Sequence, residues 1–323
     1  MTPKQGIIPN TATQLRHTWF EKLGGIETVS VRNKEWLALL EEDTRNSLMI
    51  EGYFVSRAEI KDILGDPKYT QTGYKVLGYF DAALANYELA FQQYKTKQFS
   101  VSKAIIRQMH SMMFRGDPYF SWSPGEWRKG DIEITGAKVK TSHPHEIEKH
   151  IEKLIKIINA STNNLIRKIA VIHDMFEQIH PFPDGNGRVG RILINFILVG
   201  HGFPNIAFKG SEKDKKIYIG ALEEADLIVS EMLYSGKKIS PFIKPLVQLE
   251  NLISKSLAIS MDVVICNRYN EKVEKLMTLK EVSKVTNRSL PSLRVSCAQK
   301  KHICSKIGGK VKTHPNFFGS PKF

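Results

Sequence analysis

Twelve consecutive residues, His180-Pro181-Phe182-Pro183-Asp184-Gly185-Asn186-Gly187-Arg188-Val189-Gly190-Arg191, hold a histidine, a carboxylate, an amide, three glycines and two arginines. This set suits phosphate chemistry. An imidazole titrates near neutrality and can take a proton from a nucleophile, which makes His180 a candidate general base. One carboxylate is enough to hold Mg²⁺ when phosphates supply most other ligands, the role open to Asp184. Glycines let backbone N–H groups approach an anion, so Gly185, Asn186 and Gly187, continuing into Val189 and Gly190, outline a nucleotide cradle. Arg188 and Arg191 are three apart, share one helix face and can reach the same anion. The implied chemistry is transfer of a phosphate-borne group by positioning and charge neutralisation.

Two elements must hold this loop. The apolar run Ile192, Leu193, Ile194, Phe196, Ile197, Leu198 predicts a buried helix that opens in the loop and turns its positive N-terminus towards an anion. Before the loop, the spacing of Leu165, Ile166, Ile169, Ala170, Ile172, Phe176 and Ile179 predicts a helix over 163–179 that delivers His180. His173, one heptad earlier, reads as packing or support behind the site. Further helices are predicted near 15–23, as a pair over 33–64, and over 73–97, 100–114 (capped by Ser100), 144–158, 211–234 (capped by Ser211) and 241–270. Between 116 and 140, Pro and Gly residues break any helix, and Ile132-Glu133-Ile134-Thr135 alternates like a strand of a short hairpin. Ser47 and Glu51, four apart, lie on one helix face, and Gly52 can end that helix.

The loop resembles the Fic domain signature His-Pro-Phe-x-Asp/Glu-Gly-Asn-Gly-Arg-x-x-Arg, with every fixed position present. The likeness runs back through His173, Phe176, Glu177 and Ile179 and forward to Tyr218, Leu222, Glu223, Ala225 and Pro241-Phe242-Ile243, so it covers roughly residues 30 to 250. The resemblance implies an all-α Fic-type core with a β-hairpin flap. It also implies transfer of AMP from ATP, with Mg²⁺, to a Ser, Thr or Tyr hydroxyl of a target protein or of the chain itself. His180 would be the catalytic base, Asp184 the metal ligand, and Gly185 to Arg191 with Tyr218, Ile132 and Thr135 the nucleotide contacts. Pro124-Gly125-Glu126-Trp127-Arg128 and Ile132 to Gly136 resemble the target-docking flap, whose free edge can pair with an extended segment. Ser47-x-x-x-Glu51-Gly52 resembles the family's inhibitory motif, with Glu51 competing for Arg191. Gly187 stands where a kinase-like relative carries Lys. Ala225-Asp226 departs from the family's frequent Ala-Asn and bears on base preference. Relatives often form homodimers. Alternatives of the same site are removal of AMP, with Glu51 activating water, and a donor such as UTP, GTP or CDP-choline. A different class is a nucleotide-sensing DNA-binding regulator.

The 323 residues suit two domains; 41% hydrophobic and 25% charged residues fit a globular chain. No apolar run approaches a membrane span, the first residues lack a secretory pattern, and three cysteines suggest no disulfide framework. A cytoplasmic protein without a membrane partner is the expectation. The net charge is +14, and residues 270–323 carry 12 Lys/Arg against 3 Asp/Glu. This tail reads as helix (Leu279 to Val285), turn, helix (Leu290 to Lys301) and a hairpin over Ile303 to Phe318 turning at Gly308-Gly309, similar to a small winged-helix module. Arg288, Arg294, Lys300, Lys301, Lys306, Lys310 and Lys312 could meet DNA phosphates, although many such modules bind protein. Cys297, His302, Cys304 and His314 match no usual zinc spacing. The expected division is a helical region with the inhibitory motif (1–98), the Fic core (99–250), and a linker helix with the winged-helix-like domain (251–323).

Overall fold

The computed structural model describes residues 11–133, 139–234 and 245–319. The helices are α1 (Thr11–Lys22), α2 (Lys34–Ile50), α3 (Arg57–Gly65), α4 (Gln71–Thr96), α5 (Lys103–Met113), α6 (Ile147–Asn159), α7 (Leu165–Ile179), α8 (Asn186–Gly200), α9 (Glu212–Tyr234), α10 (Val247–Lys272), α11 (Leu279–Thr286) and α12 (Leu290–Ala298). Strands β1 (Met277–Thr278), β2 (Ser305–Ile307) and β3 (Lys310–Thr313) form one antiparallel sheet in the order β1-β3-β2. No helix among the described residues is long and apolar enough to cross a membrane. Residues 134–138, which include Ile134 and Thr135 of the expected flap strand, and residues 235–244, which include Pro241-Phe242-Ile243, lie outside the described residues.

The chain divides into two compact units, Thr28–Ile253 and the pair Met1–Glu27 with Ser254–Phe323. In the first, α8 is the axis. From Ile192 on, every residue of it but Asn195 is apolar, and such a helix must be covered all round. All its residues but Gly187 are buried, against α2, α4, α5 and α7. Helix α5 is capped two residues later than expected: Ser102, not Ser100, accepts the Ile105 N–H at 3.3 Å. Ser100 is engaged through its backbone with the Gln93 side chain, at 3.1 and 3.0 Å, which closes the α4–α5 turn.

In the second unit, α1 packs with the C-terminal segment, so one compact unit is built from both ends of the chain. A buried guanidinium needs a buried partner. Arg16, fully buried, meets Asp262 at 2.8 Å and the His302 carbonyl at 2.9 Å, while Lys300 reaches the other Asp262 oxygen at 3.0 Å. Lys300 is therefore turned into the protein, unlike its expected place among phosphate contacts. Trp19 donates to the Gly319 carbonyl at 3.0 Å and stands edge-on to Tyr269 and Phe317. In the tail, α11 and α12 lie where helices were expected, with α12 ending at Ala298 rather than Lys301. Strands β2 and β3 are joined at Gly308-Gly309, but the hairpin stops at Thr313, Pro315–Phe318 form a 3-10 turn, and β1 adds a strand that the sequence reading did not contain. Of the residues weighed for zinc, Cys304 donates to the Cys297 carbonyl at 3.8 Å and His314 faces Tyr269 at 3.1 Å and Glu274 at 3.3 Å.

Candidate active site

The loop between α7 and α8 is shaped by its own side chains. Asn186 accepts the Phe182 N–H at 2.9 Å and donates to the Phe182 carbonyl at 2.8 Å, so its amide staples the loop rather than facing outward. Gly185 caps α8 at φ +80°, and a Cβ there would stand 2.7 Å from both Met113 Cε and Phe114 Cε2. Asp184 accepts the Gly185 N–H at 2.6 Å and lies 3.3 Å from Arg188 Nη2, with its side chain 54% exposed. Val189 and Gly190 face inward, Val189 fully buried and Gly190 against Phe176 and Glu177.

His180 ends α7 in the left-handed region at φ +47°, an unusual conformation for a residue with a side chain. Arg128 holds it there. The Arg128 Nε donates to the His180 carbonyl at 2.7 Å and its backbone N–H to the Pro181 carbonyl at 2.9 Å; its guanidinium also reaches the carbonyls of Gly130 and Ser142. His180 Nδ1 lies 3.0 Å from the Glu177 carbonyl. A carbonyl only accepts, so Nδ1 carries the proton and Nε2 of the neutral ring keeps its lone pair. Burial lowers the His180 pKa, partly opposed by that carbonyl contact, and the neutral base form is favoured at pH 7.

Arg188, 2% exposed, lies over the Phe114 ring at 4.9 Å, and its Nε has no hydrogen-bond partner. Arg191 is occupied. Its Nε donates to Ser47 Oγ at 2.7 Å, and its Nη2 donates to the Ser47 carbonyl at 3.1 Å and to Glu51 Oε1 at 2.6 Å. Burial would raise the Glu51 carboxyl, but Arg191 and then Arg188 outweigh it and hold it below its usual range. The same Glu51 oxygen is 2.7 Å from where a Gly187 Cβ would be, so Gly187 leaves room for this contact.

Beside Arg191, Tyr218 is buried with its hydroxyl 2.7 Å from His173 Nε2. Burial, then Arg191, drives the His173 pKa to about 3, so the ring is neutral. His173 Nδ1 faces Glu177 Oε1 at 3.9 Å, and burial pushes the Glu177 carboxyl up to about 8. The Gln178 amide donates to the Asp226 backbone carbonyl at 3.1 Å and lies 3.5 Å from its Oδ1. Ile132 is half-buried, its carbonyl accepting from Thr141 at 2.6 Å.

Three site-building residues escaped the sequence reading. Arg128 was read only as part of the flap segment. His110 bridges Gly125 and Asp184. Asp43, 2% exposed, accepts from Tyr79 at 3.1 Å, Tyr87 at 2.7 Å and Asn195 at 3.2 Å. Asp43, Ser47 and Glu51 recur every fourth residue, so Asp43 fixes the rotation of α2 that brings the other two to Arg191. The sequence signal was that spacing. Burial raises the Asp43 pKa to about 7, against the hydrogen bonds from Tyr87 and Tyr79. A carboxyl raised in this way favours the folded state below its unfolded pKa and loses that contribution as pH rises towards 7. Asp43→Asn is therefore expected to show a smaller fall in Tm between pH 5 and pH 8 than the parent; an identical fall would contradict this.

The sequence profile of the Fic/DOC family matches residues 100–198. A probable protein adenylyltransferase of Aquifex aeolicus is 38% identical over 216 residues, 65% of this chain and 64% of that one, so the chain spans a little under two thirds of that relative. A Fido domain-containing protein of Dictyostelium discoideum is 34% identical over 108 residues, 32% of this chain and 73% of that one. In fold, the chain is similar to a Fic domain containing signaling protein from Bacteroides thetaiotaomicron, with a TM-score of 0.66 at 22% identity, covering 82% of this chain and 99% of that one.

Proposed function

The chain belongs to the Fic/DOC family, and from that premise we propose that it transfers AMP from ATP to a Ser, Thr or Tyr hydroxyl of a target protein, with Glu51 holding it in a low-activity state. The reaction is protein-OH + ATP giving protein-O-AMP + pyrophosphate. His180 Nε2 accepts the hydroxyl proton as the oxygen attacks the α-phosphorus, and the bond to the pyrophosphate oxygen breaks. The unpaired Nε2 lone pair, set by the Glu177 carbonyl at 3.0 Å, supports that role. Arg188 and Arg191 hold the outer phosphates at the positive end of α8. Asp184 fits Mg²⁺: it is an exposed carboxylate on the loop, and one such ligand is enough when phosphates supply most of the others. Mg²⁺ bound there would neutralise charge developing on the phosphates.

The observation that carries the reading is the Ser47–Arg191–Glu51 contact, at 2.7 and 2.6 Å. The guanidinium best placed for a terminal phosphate is taken by a carboxylate, and a triphosphate arriving beside it meets repulsion in a site with little water. ATP then sits with its α-phosphate out of line for attack.

The test is intact-protein mass spectrometry of the parent, Glu51→Gly and Glu51→Gly/His180→Ala, each with Mg²⁺ and ATP, UTP, GTP or CDP-choline. A mass gain equal to AMP, from ATP and in Glu51→Gly above the others, is the expected result. A gain from another nucleotide alone would replace the donor. No gain with any donor, added target extract included, would overturn the transferase reading.

A further inference from the structure

His110 lies on α5, far in sequence from the signature loop, and is fully buried. Its Nδ1 accepts the Gly125 N–H at 2.7 Å. The proton of the neutral ring is therefore on Nε2, which donates to the Asp184 carbonyl at 3.1 Å. Both ring nitrogens are used, so the tautomer is fixed. The ring also stacks on Phe182, with centroids 3.9 Å apart and planes 12° from parallel, and touches Phe114 at 4.8 Å. Phe114 in turn lies under Arg188 and against Gly185. One imidazole thus meets both ends of the loop, at Phe182 and Asp184, and the start of the segment that leads from Gly125 through Arg128 towards Ile132.

We propose that His110 is a positioning residue that sets the direction of the Asp184 carboxylate towards a metal-bound triphosphate and ties that loop to the base of the flap. The inference rests on the reading of the loop as a Mg²⁺–nucleotide site. The physical case is the peptide between Asp184 and Gly185. Its carbonyl is held by His110 and its N–H by Asp184 Oδ1 at 2.6 Å, so the peptide plane and the carboxylate are oriented together. Losing the imidazole donor frees that plane to rotate, and the carboxylate turns with it. Residues that orient a ligand in this indirect way typically matter about 10- to 100-fold in metal affinity or activity.

The experiment uses the full chain carrying Glu51→Gly, so that Arg191 is open. Calorimetric titration of ATP with and without Mg²⁺ is compared for that parent and for added His110→Phe or His110→Gln. Phe keeps the stack on Phe182 and removes both hydrogen bonds; Gln can restore a donor near the Nε2 position. His110→Phe is expected to bind ATP without Mg²⁺ within about twofold of the parent, and to lose about tenfold or more of the tightening that Mg²⁺ confers. His110→Gln should recover part of it. A full Mg²⁺-dependent gain in His110→Phe would overturn the inference. So would equal weakening with and without Mg²⁺ alongside a large fall in Tm, the signature of a purely structural residue. A parent that binds no ATP in either condition would instead overturn the nucleotide site, and this inference with it.

Discussion

Glu51→Gly is expected to raise ATP-dependent self-modification by about a hundredfold, the scale on which displaced reacting groups slow catalysis. The carboxylate at 2.6 Å from Arg191 is the only acid with a direct bond to that guanidinium among the described residues, and removing it frees the guanidinium. The substitution spares the helix, because Glu51 is already at the C-cap of α2, where φ −79° and ψ 1° suit glycine, and Gly52 at φ +90° completes the turn. Ser47→Ala removes only the 2.7 Å bond to Arg191 Nε and should release activity to a smaller degree, with Glu51 still in place. Incorporation rates read by mass would settle the order. Equal rates in parent, Ser47→Ala and Glu51→Gly would mean that the contact has no bearing on catalysis.

The second large effect is at the base. His180→Ala in the Glu51→Gly background should lower transfer by about 10²- to 10⁴-fold, the range of general-base contributions. ATP binding should persist, since Arg188 and Arg191 are positioned by Asp184, Phe114 and Ser47, not by the imidazole. The pH profile carries a second check. Burial favours the neutral ring, so the rate should be level through neutrality and fall only on the acid side, below the usual histidine value of about 6.5. A rate that still rises between pH 7 and pH 8 would assign the proton transfer to another group.

The loop and its two helices were legible because their signals are local. Apolar spacing before His180 and after Arg191 places α7 and α8 wherever the rest of the chain goes, and Gly185 and Gly187 mark where backbone must come close to something. The start of α5 was misplaced because two serines near it compete for the cap, and the choice was made by Gln93 on the preceding helix. Asn186 was legible as a polar loop residue, but its bonds to Phe182 depend on how the loop closes.

By itself, then, the sequence determined which residues share a turn or a face: His180 with Asp184 in one loop, Arg188 with Arg191, and Ser47 with Glu51. Only the tertiary structure decided which of these faces meet. Glu51 reaches Arg191 across 140 positions, Asp43 reaches Asn195 across 152, His110 reaches Asp184 across 74, and Arg128 reaches His180 across 52. Helical periodicity fixes angles around one axis and carries no information about the neighbour. Those partners are chosen when α2, α4 and α5 close around α8, because buried carboxylates, guanidinium groups and imidazoles must each find a hydrogen-bond partner inside.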